Sequence, residues 1–101
     1  VFALADQMRS SALSVPSNIA EGNGRWSSLE YRQFVRQARG STMELETQII
    51  FARRRKLIAE SVEAELLRRT AEVARLINGL LRYLSKRAQK TPAIRDPRSA
   101  I

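Results

Sequence analysis

The chain of 101 residues contains no cysteine and no histidine. The lack of cysteine excludes disulfide bonds and thiolate metal ligands. The lack of histidine removes the commonest metal ligand and the usual general base near neutral pH. Hydrolytic triads and ordinary zinc sites are therefore excluded. No apolar run approaches the roughly 20 residues that a membrane-spanning helix needs. We expect a soluble, cytoplasmic protein that has no cofactor, metal ion or small-molecule substrate.

Glycine, proline and aromatic residues are also scarce, with four glycines, three prolines and 6% aromatics. Together with 44% hydrophobic residues, this composition is typical of a globular rather than a disordered chain. A chain of this length forms a single hydrophobic core that is only modestly buried, so partner chains are expected. The sequence opens at Val1, already inside an apolar pattern, and we therefore expect a further element upstream.

Positive charge is in clear excess, because 18 Lys and Arg residues face 10 Asp and Glu residues and give a net charge of +8. Residues 1–50 are balanced, and most of the excess lies in Arg53–Lys56 and Arg82–Arg98. Polyanions are therefore the first class of partner to consider.

Apolar residues recur at spacings of three and four along most of the chain, which predicts three amphipathic helices. The first covers about residues 2–21. Ser27 and Glu30 fit a capping box that begins a second helix over about residues 28–56. A heptad-like repeat predicts the third helix over about residues 61–88, with Ser61 as its cap.

This pattern predicts an all-α fold, an antiparallel up-down four-helix bundle of which three helices are present in the chain. We assign residues 1–90 to the bundle and residues 91–101 to a basic, disordered tail, since that segment has no period and contains two prolines. Short connections make successive helices antiparallel neighbours. The ends of the first and third helices should therefore lie together, with Arg53–Lys56 at the opposite end.

Proline and glycine interrupt the helical pattern at four positions. Pro16 predicts either a kink or a restart of the helix with Ser14 as cap. Gly22 and Gly24 are expected to adopt left-handed conformations that end the first helix. Gly40 lies in the middle of the second helix, where the close approach of another backbone would compensate its cost of about 1 kcal/mol.

Two segments, "SVPSNIAEGNGR" and "EYRQFVRQARGSTMELETQI", resemble the four helix bundle proteins known as 23S rRNA intervening-sequence proteins. The motif turn falls on Ser14, Pro16, Ser17, Asn18, Glu21, Gly22, Gly24 and Arg25. The resemblance extends over about residues 4–85. It implies a four-helix bundle that assembles into a cyclic homopentamer, begins with one further helix and has no established enzymatic reaction. The chain is also similar to the accessory variability determinant of diversity-generating retroelements, a basic pentamer that works with a reverse transcriptase and nucleic acid.

The polar residues of the motif turn allow two interpretations. Asn18 and Glu21 share a helix face and would be able to orient a ligand or a partner backbone. Alternatively, Glu21 forms a structural ion pair at the helix end with Arg25, Lys86 or Arg87, and we favour this second role.

One face of the second helix combines a basic stripe with apolar residues that a solvent-facing strip would not normally carry. We predict a subunit interface there, with scattered surface hydrophobes as the alternative. Its residues are Arg32, Arg36, Arg39, Met43, Ile50, Phe51 and Leu57.

Two basic clusters are the candidates for nucleic-acid binding, namely Arg53, Arg54, Arg55 and Lys56, and Arg82, Lys86, Arg87 and Lys90. The alternative is that these cations only stabilise helix C-termini through the helix dipole. We expect a non-enzymatic, oligomeric bundle protein whose basic surfaces bind RNA or DNA, or a reverse-transcriptase-like enzyme. The competing expectation is a scaffold protein without a nucleic-acid ligand.

Overall fold

The computed structural model describes residues 1–90 and contains three α-helices there and no strand. They are α1 (Phe2–Asn23), α2 (Ser28–Arg54) and α3 (Glu60–Lys90). The predicted all-α class is confirmed, and each helix end falls within two residues of its predicted position. The predicted tail of residues 91–101 lies outside the described residues.

Local hydrogen bonds set the helix starts. The Ser27 hydroxyl accepts a hydrogen bond from the Glu30 amide at 3.2 Å, which confirms Ser27 as the cap of α2. The predicted cap of α3 was wrong. The carbonyl of Ala59 accepts from the Val62 and Glu63 amides, so Ser61 lies inside the first turn.

Helix α2 ends in a Schellman motif. The Lys56 amide donates to the Arg53 carbonyl at 2.8 Å, and the Leu57 amide donates to the Ala52 carbonyl at 2.9 Å. Lys56 takes the left-handed position with φ of 60°, which glycine normally occupies.

Helix α1 is continuous through Pro16, so it does not restart at Ser14. The expected left-handed glycines were also wrong. Gly24 caps α1 with φ of −83°, and no glycine of the described residues has a positive φ. Hydrogen bonds from the Gly24 and Arg25 amides to carbonyls of the last turn end the helix without that conformation.

Close packing explains Gly22 instead. A Cβ on Gly22 would lie 2.6 Å from Cδ1 of Tyr31 and 2.8 Å from Cβ of Phe34, both impossibly short. No atom of the described residues approaches Gly40, because a Cβ there would meet nothing within 4 Å, and the close approach expected at this glycine stays a prediction.

The helices form little more than one layer, with α2 between α1 and α3. The body measures 54 × 23 × 14 Å, and its smallest dimension barely exceeds the 10–12 Å diameter of a helix. All three helices meet in a core towards the end where α1 and α3 terminate. This core consists of Val15, Val35, Ala38, Ile77, Leu81 and Leu84.

Next to that core, the three helices border an open groove of about 480 Å³ with α2 as its floor. We call it the apolar groove. Its aliphatic lining residues are Met8, Ala12, Val15, Leu45, Ile49, Leu66 and Val73. The hydroxyls of Thr42 and Thr70, which also line it, donate to carbonyls of their own helices. An antiparallel four-helix bundle places its remaining helix between such a pair, so this groove is where the four-helix prediction puts the additional helix.

Candidate nucleic-acid interface

Helices α2 and α3 also border a second cleft of about 490 Å³, which is separate from the apolar groove. We call it the basic cleft. It is lined by Arg32, Arg36, Arg39, Asn78, Leu81, Arg82, Ser85 and Lys86. Five of these eight residues are cationic and none is acidic.

Helix periodicity and antiparallel packing bring the five cations together. The three arginines of α2 follow one another at spacings of four and three, and Arg82 and Lys86 of α3 are four apart, so each set occupies one helix face. Nη1 of Arg32 donates a hydrogen bond to Oγ of Ser85 at 3.2 Å and ties the two helices at the cleft.

No cation of the basic cleft forms an ion pair with a carboxylate within residues 1–90, although other arginines do. Arg25 lies 2.7 Å from Glu21, and Arg9 lies 2.7 Å from Asp6. The cleft therefore retains an uncompensated positive field that attracts polyanions.

Two arginines on α3 that pair with a carboxylate differ in local charge from the unpaired cations of the basic cleft. Oε1 of Glu65 accepts hydrogen bonds from Arg68 at 2.8 Å and from Arg69 at 2.9 Å, and these bonds lower the pKa of Glu65 from 4.5 to about 2. Arg68 and Arg69 are thus neutralised locally, in contrast to the cations of the basic cleft.

Arg32 is the most buried cation of the cleft, at an intermediate level of exposure. Its Nε is buried and has no hydrogen-bond acceptor among the described residues. An unsatisfied buried donor costs about 1–3 kcal/mol. The guanidinium of Arg32 is thus held by one internal hydrogen bond, from Nη1 to Ser85, while its Nε is left without one.

The first predicted nucleic-acid cluster lies at the other end of α2, as the topology predicted. Arg53 has a structural role there, because it donates to the Ile58 carbonyl at 3.1 Å and lies 3.8 Å from Glu60. Arg54, Arg55 and Lys56 are exposed. About 22 Å of helix separate Arg39 from Arg54, so this cluster does not join the basic cleft.

The second predicted cluster is divided by the structure. Arg82 and Lys86 line the cleft. Arg87 instead lies over the ring of Tyr83 at 5.9 Å, and Lys90 ends α3 with its side chain outside the described part. The sequence assigned Arg32, Arg36 and Arg39 to a subunit interface and did not indicate that they share one cleft with Arg82 and Lys86.

The remaining predicted interface residues lie elsewhere on α2 and after it. Met43, Phe51 and Leu57 are exposed, whereas Ile50 is partly buried. The exposed apolar side chains are consistent with the predicted contact surface, which stays a prediction.

The polar residues of the motif turn form one hydrogen bond between helices and several local contacts. Oγ of Ser14 lies 2.7 Å from Oγ of Ser41, and Nδ2 of Asn18 donates to both the hydroxyl and the carbonyl of Ser14 at 2.9 and 2.8 Å. Glu21 pairs with Arg25 at 2.7 Å, one of the three partners the sequence allowed. Pro16 faces the apolar groove, and Ser17 is exposed. Of these contacts, the one between Ser14 and Ser41 joins α1 to α2, whereas those of Asn18 and Glu21 are local to α1 and the turn that follows it.

Other kinds of site find no support in residues 1–90. No group of three acidic side chains gathers there in a way that would hold a metal ion. None of the three helices is both long and apolar enough to cross a membrane.

The family is decided by a protein-family model described as "23S rRNA-intervening sequence protein", which matches residues 1–79. The chain belongs to this family. The resemblance that the motif turn and α2 indicated is thereby confirmed, and the match covers Arg32, Arg36 and Arg39 but ends before Arg82. No curated protein matches the chain, and no solved structure does.

Proposed function

We propose that the protein binds the phosphate backbone of nucleic acid in the basic cleft and catalyses no reaction. The observation that carries the proposal is the convergence of five side-chain cations from two helices on one cleft, in which residues 1–90 place no acidic lining residue. Contacts from Lys and Arg to phosphate supply affinity and position the protein without reading sequence.

Helix capping does not account for the three arginines that α2 contributes to the cleft. The helix dipole favours positive charge only near the C-terminal turn. That rule explains Arg54 and Arg55 at the end of α2. Arg32, Arg36 and Arg39 lie in the N-terminal half of the same helix, where the dipole gives a cation no advantage.

Structured RNA is the first ligand to test, because the description of the family refers to an intervening sequence of 23S rRNA. Among the described residues, the cleft lining contains no aromatic side chain on which unpaired bases would stack. We therefore expect binding to follow the backbone of a folded RNA, with little dependence on base sequence.

Assembly would strengthen this binding. The family resemblance implies a ring of copies, and each copy would present one basic cleft. Several weak phosphate-binding clefts on one particle bind a long RNA with a higher effective affinity than a single cleft.

The test is a titration of a fluorescently labelled RNA hairpin with the full chain at several salt concentrations, read by anisotropy. If three to five phosphates are neutralised per cleft, log K should fall against log salt with a slope of about −3 to −4.5. Replacing Arg82 and Lys86 together by Gln should reduce the magnitude of this slope by about two.

The matched control replaces Arg54 and Arg55 by Gln, which removes the same charge from exposed positions outside the cleft. This control should keep the wild-type slope. The scaffold alternative is supported instead if the wild type does not bind the hairpin even at low salt. Equal losses in both double variants would show that net charge, and not the cleft, determines binding.

A further inference from the structure

Arg32 differs from the other four cations of the basic cleft in how firmly it is held. Its side chain is partly buried, whereas the other four are exposed. Nη1 of Arg32 donates to Oγ of Ser85 at 3.2 Å, and no other cation of the cleft donates a hydrogen bond to a residue of the described chain. A guanidinium that is already held in place loses less conformational entropy when it binds a ligand than an exposed side chain does.

Arg32 retains hydrogen-bond donors that the fold does not use. A guanidinium carries five N–H groups. Ser85 accepts from one of them, and the buried Nε, which has no acceptor in residues 1–90, accounts for another. Three N–H groups therefore remain on Nη1 and Nη2, at the end of a side chain that lines the cleft.

The hydroxyl of Ser85 also keeps its proton available. The hydroxyls of Thr42, Thr47 and Thr70 each donate to the carbonyl four residues earlier in their own helix. Ser85 makes no such bond within the described residues, and its oxygen accepts from Arg32 instead. Because a hydroxyl both accepts and donates, Ser85 can donate to a ligand in the cleft while it holds Arg32.

We propose that Arg32 and Ser85 form a fixed subsite for one phosphate group, while the other four cations of the cleft act through their charge alone. This inference rests on the proposed function, because it states how one backbone phosphate is held in the same cleft. The oxygens of a phosphate group accept hydrogen bonds from both a guanidinium fork and a hydroxyl. Inorganic phosphate presents the same kind of oxygens as the RNA backbone, so the two ligands are tested separately.

The first arm of the experiment is the RNA hairpin titration with two variants that conserve charge, Arg32→Lys and Arg39→Lys. Lysine keeps the positive charge but lacks the planar fork of N–H donors. Arg32→Lys should weaken binding about tenfold at a fixed salt concentration, which corresponds to about 1.4 kcal/mol, and should keep the wild-type salt slope. Arg39→Lys, at an exposed position of the same cleft, should change the affinity less than about twofold, because only its charge acts there.

Ser85→Ala tests the subsite from the other helix. It removes both the hydroxyl proton and the acceptor that holds Arg32, so it should weaken RNA binding as Arg32→Lys does. Alanine is a better helix former than serine, and the variant should keep the helical circular dichroism spectrum.

The second arm needs no RNA. Thermal melting is compared in sodium phosphate and in sodium chloride at equal pH and ionic strength. Phosphate bound to the folded state should raise the melting temperature by roughly 3–6 °C at a concentration three times its Kd. Arg39→Lys should keep this rise, whereas Arg32→Lys and Ser85→Ala should lose it. Exclusion of phosphate from the protein surface also stabilises proteins, so only the difference between variants is counted.

The two arms separate the subsite from the proposed function. If the wild type binds the hairpin but Arg32→Lys and Arg39→Lys respond equally in both arms, the subsite is overturned and RNA binding by the cleft is retained. If the wild type does not bind the hairpin but shows a rise in phosphate that Arg32→Lys abolishes, the subsite is supported and RNA is rejected as its ligand. The absence of both responses in the wild type would overturn both proposals.

Discussion

The two glycines of helical backbone at positions 22 and 40 should respond in opposite ways to the same substitution. At Gly40 an added methyl group meets no atom within 4 Å, so Gly40→Ala should gain the helix propensity of alanine, about 1 kcal/mol. At Gly22 the same methyl group would lie 2.6 Å from Cδ1 of Tyr31 and 2.8 Å from Cβ of Phe34.

The magnitude at Gly22 follows from which atoms can move. The Tyr31 ring can rotate away only by disturbing its contacts with the core, and Cβ of Phe34 moves only with the α2 backbone. Overpacking of this kind costs about 1–3 kcal/mol, which exceeds the gain in helix propensity at a helix end. We therefore expect Gly22→Ala to lower the free energy of unfolding by about 1–2 kcal/mol and the melting temperature by roughly 5–15 °C.

The assay is urea unfolding and thermal melting followed by circular dichroism at 222 nm. Both variants should be compared at one low protein concentration, because self-association makes apparent stability depend on concentration. In a Tyr31→Leu background the cost of Gly22→Ala should shrink, since the ring atoms nearest the new methyl group are gone. If Gly22→Ala stabilises the protein as much as Gly40→Ala does, the close packing of α1 on α2 inferred here is wrong.

Three further perturbations test separate parts of the fold. Lys56→Gly should raise the free energy of unfolding by about 0.5–1 kcal/mol, because glycine adopts the left-handed φ of 60° without strain. The control Lys56→Ala removes the same charge but keeps Cβ, so it should not raise the free energy of unfolding. Urea unfolding measures this free energy for both variants. Ile49→Ala, at the 1% exposed floor of the apolar groove, should cost about 2–5 kcal/mol, but Val73→Ala, 37% exposed on its wall, should cost clearly less in the same assay. The pKa of Glu65 is about 2 in the folded state against 4.5 as its ordinary value, so its stabilising effect is present above pH 4.5 and is lost as the pH falls towards 2. Glu65→Gln should therefore reduce the loss of stability between pH 5 and 2, and an unchanged acid transition in melts across that range would contradict this assignment.

Periodicity was sufficient to predict the three helices, and the capping box at Ser27 the start of α2, because both signals depend on residues close together in sequence. Conformations that depend on a neighbouring helix were not predictable in the same way. Gly22 and Gly40 both suggested special backbone roles, yet only contacts with Tyr31 and Phe34 show that the first is a packing glycine. The same applies to Ser14, whose hydroxyl suggested a cap and in fact meets Ser41 across the helix interface.

The basic cleft was predictable from the positions of its residues relative to the turn between α2 and α3. The composition of each helix taken alone does not show it. In antiparallel helices joined by a short turn, residues at equal distances from the turn lie side by side. Arg32 precedes Lys56 by 24 positions and Ser85 follows Ser61 by 24, and these two side chains are hydrogen-bonded. The predicted helix ends alone would thus have placed the arginines of α2 beside Arg82 and Lys86.

The basic cleft and the apolar groove lie on different faces of α2, and this separates the two properties of the molecule. At about 100° per residue, the cleft arginines 32, 36 and 39 lie on average about 115° around α2 from the groove residues 42, 45 and 49. A helix that fills the groove would therefore complete the bundle without covering the cations. Substitutions such as Val73→Ala should change stability while leaving the salt dependence of RNA binding intact, and loss of Arg82 and Lys86 should do the reverse. A substitution in the groove that altered the salt slope would show that the two faces of α2 are coupled.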